Sequence, residues 1–258
     1  MGPRVKHDQV FAESGGRSTD FEFNQHVAEV FDDMVTRSVP YYPEQQRMVL
    51  ELGKTFAIPG TSVYDLGCST ATTLVALSEH VAPEARLIGY DNSGAMLDQA
   101  RQKIRDHGLD TRIELRHGDL NGSLADLALD NASFVTMCWT LQFVRPLRRD
   151  NLIRKIYDSL VEDGALVVAE KVLTNNSHAN RFFIDFYYDF KRRGGYSDVE
   201  ILRKREALEN VLVPYRIDEN LEMFRRNGFE VVETFFQWYN FVGFLCVKKP
   251  SPGRTDAR

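Results

Sequence analysis

The feature that most constrains this chain is a change of hydrophobic period near residue 62. Before it, apolar residues recur at helical spacing. After it, five short β-rich runs (62–67, 85–92, 112–119, 132–140 and 164–172) alternate with helical patterns over 70–80, 93–107 and 147–160. Strands that alternate with helices pair in parallel through right-handed crossovers, so the expectation is an α/β fold built on a mostly parallel sheet.

The flanks modify that plan. Val27, Val30, Phe31 and Met34 give a helix over 23–38 that Pro40 stops, and residues 43–57 give a second helix closed at Pro59-Gly60. The stretch 120–130 reads as a loop or a single helical turn. Residues 177–212 interrupt the alternation with an aromatic, charged insertion, read as two helices split at Gly194-Gly195. A helix over 218–229 ends at Gly228, a C-cap residue. Residues 230–249 hold two aromatic strands with no helix between them, which must pair antiparallel. The expected organisation is a loose arm over 1–22, one domain over 23–249 and a tail over 250–258.

With 258 residues, 43% of them hydrophobic, the chain can bury one large core. A net charge of −5 gives no overall field that would draw in nucleic acid. Basic runs such as "FKRRGG" (190–195) read as solvated surface or as local anion sites. No apolar stretch spans a bilayer and no signal-peptide pattern is present. Cys68, Cys138 and Cys246 are unevenly spaced, with no Cys-x-x-Cys, which suggests neither a disulfide framework nor a metal site. The expectation is a cytoplasmic protein with no metal, no membrane and no direct nucleic-acid contact.

The chemistry is expected at "VYDLGCSTATTLVAL" (63–77), a strand, a turn and a helix start. Ligands of open α/β sheets lie across the carboxyl ends of the parallel strands. Asp65 can orient the turn or accept from a ligand ammonium, and Gly67 permits close backbone approach. Asp91 ends the second strand at the distance suited to two ribose hydroxyls, and Asp119 of "HGDL" can accept from an adenine amine with Leu120 beside the ring. A dinucleotide needs a glycine-rich turn around its pyrophosphate, whereas Cys68, Thr70 and Thr72 crowd this one. S-adenosylmethionine carries no pyrophosphate, and the antiparallel C-terminal strand also suits its fold. Each acidic residue taken alone could simply cap the next helix. Cys68 and Cys138 read as small apolar fillers, the insertion's aromatics as core or dimer contact, and "RKR" (203–205) as a solvated helix face.

Beyond these readings, "VAEVFDDMVTRSVPYY" (27–42), "VYDLGCS" (63–69), "YDNSGAML" (90–97), "TLQFVRP" (140–146), "KIYDSLVEDGALVVAEK" (155–171) and "DFKRRGGYSDVEILRKREALENV" (189–211) resemble the carboxy-S-adenosyl-L-methionine synthases. The resemblance runs from about residue 23 onward, and the last stretch has no counterpart in ordinary methyltransferases. It implies a Rossmann-like class I methyltransferase fold, with a mostly parallel seven-stranded sheet, N-terminal helices and a helical insertion. It implies that S-adenosylmethionine and prephenate become carboxy-S-adenosylmethionine, phenylpyruvate and water, supplying the donor for tRNA wobble-uridine carboxymethylation. It places ligand contacts on Tyr42, Gly67, Cys68, Ser69, Asp91, Asn92, Asp119, Leu120 and Arg205, with Arg205 at the new carboxylate, and it implies a homodimer. The family pattern has asparagine where this chain has Cys138, and a thiol cannot supply an amide's paired donor and acceptor. The alternatives are a conventional S-adenosylmethionine-dependent methyltransferase acting on a small molecule, and a non-catalytic partner subunit.

Overall fold

The computed structural model describes residues 7–12 and 21–249. Seven strands form one sheet in the order β3-β2-β1-β4-β5-β7-β6. These are β1 (Ser62–Leu66), β2 (Arg86–Asp91), β3 (Ile113–His117), β4 (Ala132–Cys138), β5 (Leu160–Lys171), β6 (Val231–Trp238) and β7 (Phe241–Val247). β1 through β5 pair in parallel, and β7 runs antiparallel between β5 and β6. The order reverses on either side of β1, which opens a crevice at the carboxyl ends of β1, β2 and β4.

Every residue of β1 is buried, as a parallel strand covered on both faces must be, and Val63, Tyr64 and Leu66 supply its apolar contacts while Ser62 and Asp65 are buried polar. One face packs Tyr64, Ile88, Val135, Leu152, Ile156 and Phe224; the other packs Val63, Leu74, Leu87, Leu97, Phe134 and Val167. Helices α3 (Thr72–Ser78), α4 (Gly94–Asp106), α5 (Pro146–Ser159) and α8 (Ile217–Arg226) belong to the layers over the sheet. α1 (Gln25–Ser38) and α2 (Tyr42–Phe56) precede it, and α1 is capped by Asn24, whose side chain accepts from Val27 N–H.

The insertion forms α6 (Ser177–Arg193) and α7 (Asp198–Leu208), split at Gly194-Gly195 as the sequence suggests. Gly195 has φ +90°, and Ser197 and Glu200 close a capping box at the start of α7. Between residues 120 and 130 there is one 3₁₀ turn, Leu124–Asp126.

Part of the expected loose arm is docked. Asp8 is 3% exposed; its N–H donates to Asp33 and its carboxylate accepts from the Tyr196 hydroxyl, while Arg37 holds its carbonyl. Arg203 of α7 donates to the Phe11 carbonyl. Residues 7–12 therefore fasten α1 to the insertion. Residues 1–6, 13–20 and the tail over 250–258 lie outside the described residues. Among the described residues no helix is long and apolar enough to cross a membrane.

Candidate active site

A cavity of about 560 Å³ opens at the carboxyl ends of β1, β2 and β4 and extends under the insertion. Its lining includes Tyr42, Asp65, Gly67, Cys68, Ser69, Asp91, Asn92, Asp119, Leu120 and Arg205, so one space gathers every residue singled out from the sequence.

The turn after β1 is held by backbone. Gly67 and Cys68 N–H both donate to the Tyr90 carbonyl, at 2.8 and 2.9 Å. Gly67 has φ +78°, and a Cβ there would sit 2.3 Å from Thr140 Oγ1. Glycine is thus demanded by the left-handed backbone and by Thr140 as well as by any ligand. Cys68 is 4% exposed and packs where Gly89 leaves room, so it is the small filler that the sequence suggested. Ser69 takes φ +48° and its N–H donates to Asp91 Oδ2 at 2.9 Å.

Asp91 Oδ1 accepts from Ser93 N–H at 2.9 Å, which fixes the carboxylate between the turn and the N-terminus of α4. Burial pushes its pKa up, against the pull of these amides. A carboxylate oxygen that accepts one amide retains a lone pair, so Asp91 can still receive ribose hydroxyls. Asp65 is the penultimate residue of β1, 3% exposed, and accepts from Thr136 Oγ1 at 2.7 Å. Burial, reinforced by nearby Asp91, raises its carboxyl to about 7 despite the Thr136 bond. A ligand ammonium beside it would restore the charged form.

Asp119 lies beyond the end of β3, in the exposed loop, where Oδ1 accepts from Asn121 N–H at 2.8 Å. It therefore makes a local turn while lining the cavity. Leu120 is 8% exposed and belongs to both the core and the cavity wall. Tyr42 begins α2, and its hydroxyl is pushed up by burial, then by Cys138, Asp32 and Asp65. Cys138 ends β4 at the cavity; burial first, and Asp65 next, keep its thiol protonated. That favours a packing role over nucleophilic chemistry.

Under the insertion the cavity is also lined by Lys171, Lys191 and Lys204, which the sequence reading did not assign to the site, together with Arg205, which it did. Lys171 ends β5, Lys191 lies on α6, and Lys204 and Arg205 lie on α7. Lys204 was expected on a solvated face with Arg203; it is 8% exposed and donates to Ser38 Oγ at 3.1 Å. Lys191, from the run "FKRRGG", is 3% exposed, whereas its neighbour Arg192 is exposed and pairs with Asp189 and Asp198. Burial lowers Lys171 to about 8 and Lys191 to about 7, with Arg205 acting further on the first and Lys204 and Lys171 on the second. Tyr187 sits one helical turn before Lys191, so both face the cavity. Among the described residues no cluster of metal-ligating side chains occurs.

Residues 63–164 match a methyltransferase-domain family. A carboxy-S-adenosyl-L-methionine synthase from Methylococcus capsulatus is 51% identical over 245 residues, covering 95% of this chain and all of that protein. The synthase from Nitratiruptor sp. is 42% identical over the same length, covering 95% of this chain and 99% of its own. The chain belongs to the carboxy-S-adenosyl-L-methionine synthase family. The solved structures it resembles share the fold at low identity. An O-methyltransferase family protein from Burkholderia thailandensis has a TM-score of 0.66 at 16% identity, over 89% of this chain and 62% of its own. A methyltransferase from Methanococcus maripaludis has a TM-score of 0.60 at 16% identity, over 93% of this chain and all of its own. The protein is thus an enzyme on the methyltransferase fold, with S-adenosylmethionine as substrate and carboxy-S-adenosylmethionine as product.

Proposed function

We propose that the second substrate is prephenate and that the protein's main work is to hold it against S-adenosylmethionine in a water-poor cavity. The observation that carries this reading is the cationic end of that cavity, formed by Lys171, Lys191 and Arg205. A sulfonium is itself positive, so cations near it repel it unless an anion lies between them. Ordinary methyl transfer to a neutral acceptor has no use for such a cluster.

The reaction balances without a protein base. The sulfonium makes its methyl group acidic. Prephenate loses its ring carboxylate as carbon dioxide and its hydroxyl as the ring aromatises; the departing hydroxide takes a methyl proton and leaves as water. The resulting ylide carbon bonds to carbon dioxide, giving carboxy-S-adenosylmethionine and phenylpyruvate. The enzyme supplies orientation and exclusion of water that would quench the ylide.

In this reading Asp91 and Asn92 receive the ribose, Asp119 and Leu120 the adenine, and Asp65, Gly67, Cys68 and Ser69 the amino-acid end. Tyr42 closes one wall of the site. Arg205 forks onto the new carboxylate, because guanidinium matches that geometry and keeps its charge. Among the described residues Arg205 has no hydrogen bond or ion pair, and it lines the cavity, which supports that role. The aromatic patch of Phe182, Phe186 and Tyr239, 46%, 42% and 38% exposed, supports a homodimer built on the insertion. Three free cysteines suit a reducing cytoplasm, where the product would serve wobble-uridine carboxymethylation of tRNA.

Incubation with S-adenosylmethionine and prephenate, followed by mass spectrometry, tests the proposal. Phenylpyruvate and a carboxylated sulfonium in equal amounts are expected. S-adenosylhomocysteine with a methylated acceptor would instead establish an ordinary methyltransferase.

A further inference from the structure

Lys171 and Lys191 are two cavity-lining cations whose ammonium groups have no hydrogen bond or ion pair among the described residues. Lys191 is 3% exposed, yet among the described residues its ammonium has neither a hydrogen bond nor a carboxylate within ion-pair distance. Its contacts are the rings of Tyr187 and Tyr196, at 5.5 and 5.4 Å. The Lys171 backbone N–H donates to Gln142 Oε1, but among the described residues its ammonium likewise has no hydrogen bond, and it lies 5.0 Å from the Tyr187 ring centroid. Tyr187 thus meets two ammonium groups contributed by different elements, and all three residues line the cavity.

The anions near Lys191 are already engaged. Asp8 and Glu200 draw its pKa up, but Asp8 accepts from Val10 N–H and the Tyr196 hydroxyl, and Glu200 accepts from Ser197. Lys204 carries a hydrogen bond to Ser38, so it is the paired member of the group. Burying an ammonium without a counter-charge is costly, and proteins tolerate it where a ligand supplies the missing charge.

We propose that Lys171 and Lys191 form an anion subsite separate from Arg205, which takes the carboxylate that the second substrate keeps through the reaction. The substrate class is therefore an α-keto dicarboxylate held at two points, with one carboxylate transferred and one retained. This rests on the reaction proposed above. The charge count is the same on both sides of that reaction. Prephenate brings two carboxylates; afterwards one is on the sulfonium product and one on phenylpyruvate. Arg205 alone can hold one of them at each stage, and the lysines hold the other. Tyr187 and the neighbouring Tyr188 offer aromatic faces to the ring between the two carboxylates.

Phenylpyruvate is the diagnostic probe because it carries only the retained carboxylate. Its binding to the S-adenosylmethionine-loaded enzyme is measured by calorimetry for wild type, Lys171→Met, Lys191→Met and Arg205→Ala. Each lysine variant is expected to weaken phenylpyruvate binding by about 10- to 100-fold, the range for a lost hydrogen bond to a charged group. The KM for prephenate should rise by a similar factor with a smaller change in kcat, and S-adenosylmethionine affinity should stay at the wild-type value. Arg205→Ala should bind phenylpyruvate as wild type does. Lys191→Gln, which keeps a polar end, replaces Lys191→Met should the latter be insoluble. Unchanged phenylpyruvate affinity in both lysine variants, or no phenylpyruvate binding by wild type, overturns the subsite. Failure of wild type to form carboxy-S-adenosylmethionine from prephenate overturns the proposed reaction instead, while the calorimetry still decides the subsite.

Discussion

Asp65 should trade stability for ligand binding, and Asp65→Asn exposes the exchange. The carboxyl lies at 3% exposure with one hydrogen bond, from Thr136, and its pKa is raised from 3.8 to about 7. A carboxyl raised in the folded state binds its proton more tightly there than in the unfolded chain. Stability is therefore unaffected below pH 3.8, falls as pH rises towards 7 and levels off above it. A shift of roughly three units corresponds to about 4 kcal/mol at the alkaline plateau. Asparagine preserves the shape and the acceptor for Thr136 but carries no charge. Urea unfolding of the ligand-free protein should show Asp65→Asn close to wild type at pH 4 and more stable at pH 8.5 by a few kcal/mol. The same variant should bind S-adenosylmethionine more weakly at pH 8.5, because the ligand's ammonium loses its counter-charge. Glu170 and Asp91 also have raised pKa values, but both are present in each protein and largely cancel in the difference. An equal stability difference at both pH values, or a stabilised variant with undiminished ligand affinity, would refute the reasoning.

Other perturbations test separate contacts. Asp91→Ala should weaken S-adenosylmethionine binding more than Asp91→Asn, since it also removes the acceptors for Ser69 and Ser93 N–H; calorimetry reads both. Gly67→Ala should destabilise the fold by about 2–5 kcal/mol through left-handed strain and overpacking, measured by denaturant unfolding. Adding Thr140→Gly should recover the overpacking part, because Thr140 is what the new methyl group meets. Arg149 is fully buried, holds the Val144 and Val213 carbonyls and is electrostatically coupled to buried Glu170. Arg149→Met should destabilise the fold by about 1–3 kcal/mol per stranded group, by removing the donors to the Val144 and Val213 carbonyls, and Glu170→Gln in the same chain should return any part due to the lost cation near that carboxyl.

The sheet was legible because parallel strands buried on both faces leave apolar runs, as in residues 165–169, and because the helices between them follow a different period. The split of the insertion was legible at Gly194-Gly195 for the same kind of local reason. Asp65, Asp91 and Asp119 could be expected at one edge of the sheet because strand ends are predictable, and all three line the cavity, Asp119 from just beyond its strand. The sequence could not show that Thr140 faces Gly67, since that contact joins the first turn to the loop after β4. Lys204 misled because a helix pattern alone does not say what covers its face; the cover is α1, through Ser38. Asp8 misled for a similar reason, as a polar N-terminal stretch gave no hint of Arg37, Asp33 and Tyr196 waiting for it. Lys171 and Lys191 lie on separate elements, and only the tertiary structure brings the end of β5 and helix α6 to one tyrosine.

The most direct test of the central claim follows the carboxylate itself. Prephenate bearing a heavy-carbon label in its ring carboxylate is incubated with the protein and unlabelled S-adenosylmethionine, and the sulfonium products are analysed by mass spectrometry. The account predicts that the label appears in carboxy-S-adenosylmethionine, with unlabelled phenylpyruvate formed beside it in equal amount. Label released to the solution with the sulfonium left as intact S-adenosylmethionine, or a carboxylated sulfonium without the label, would contradict it.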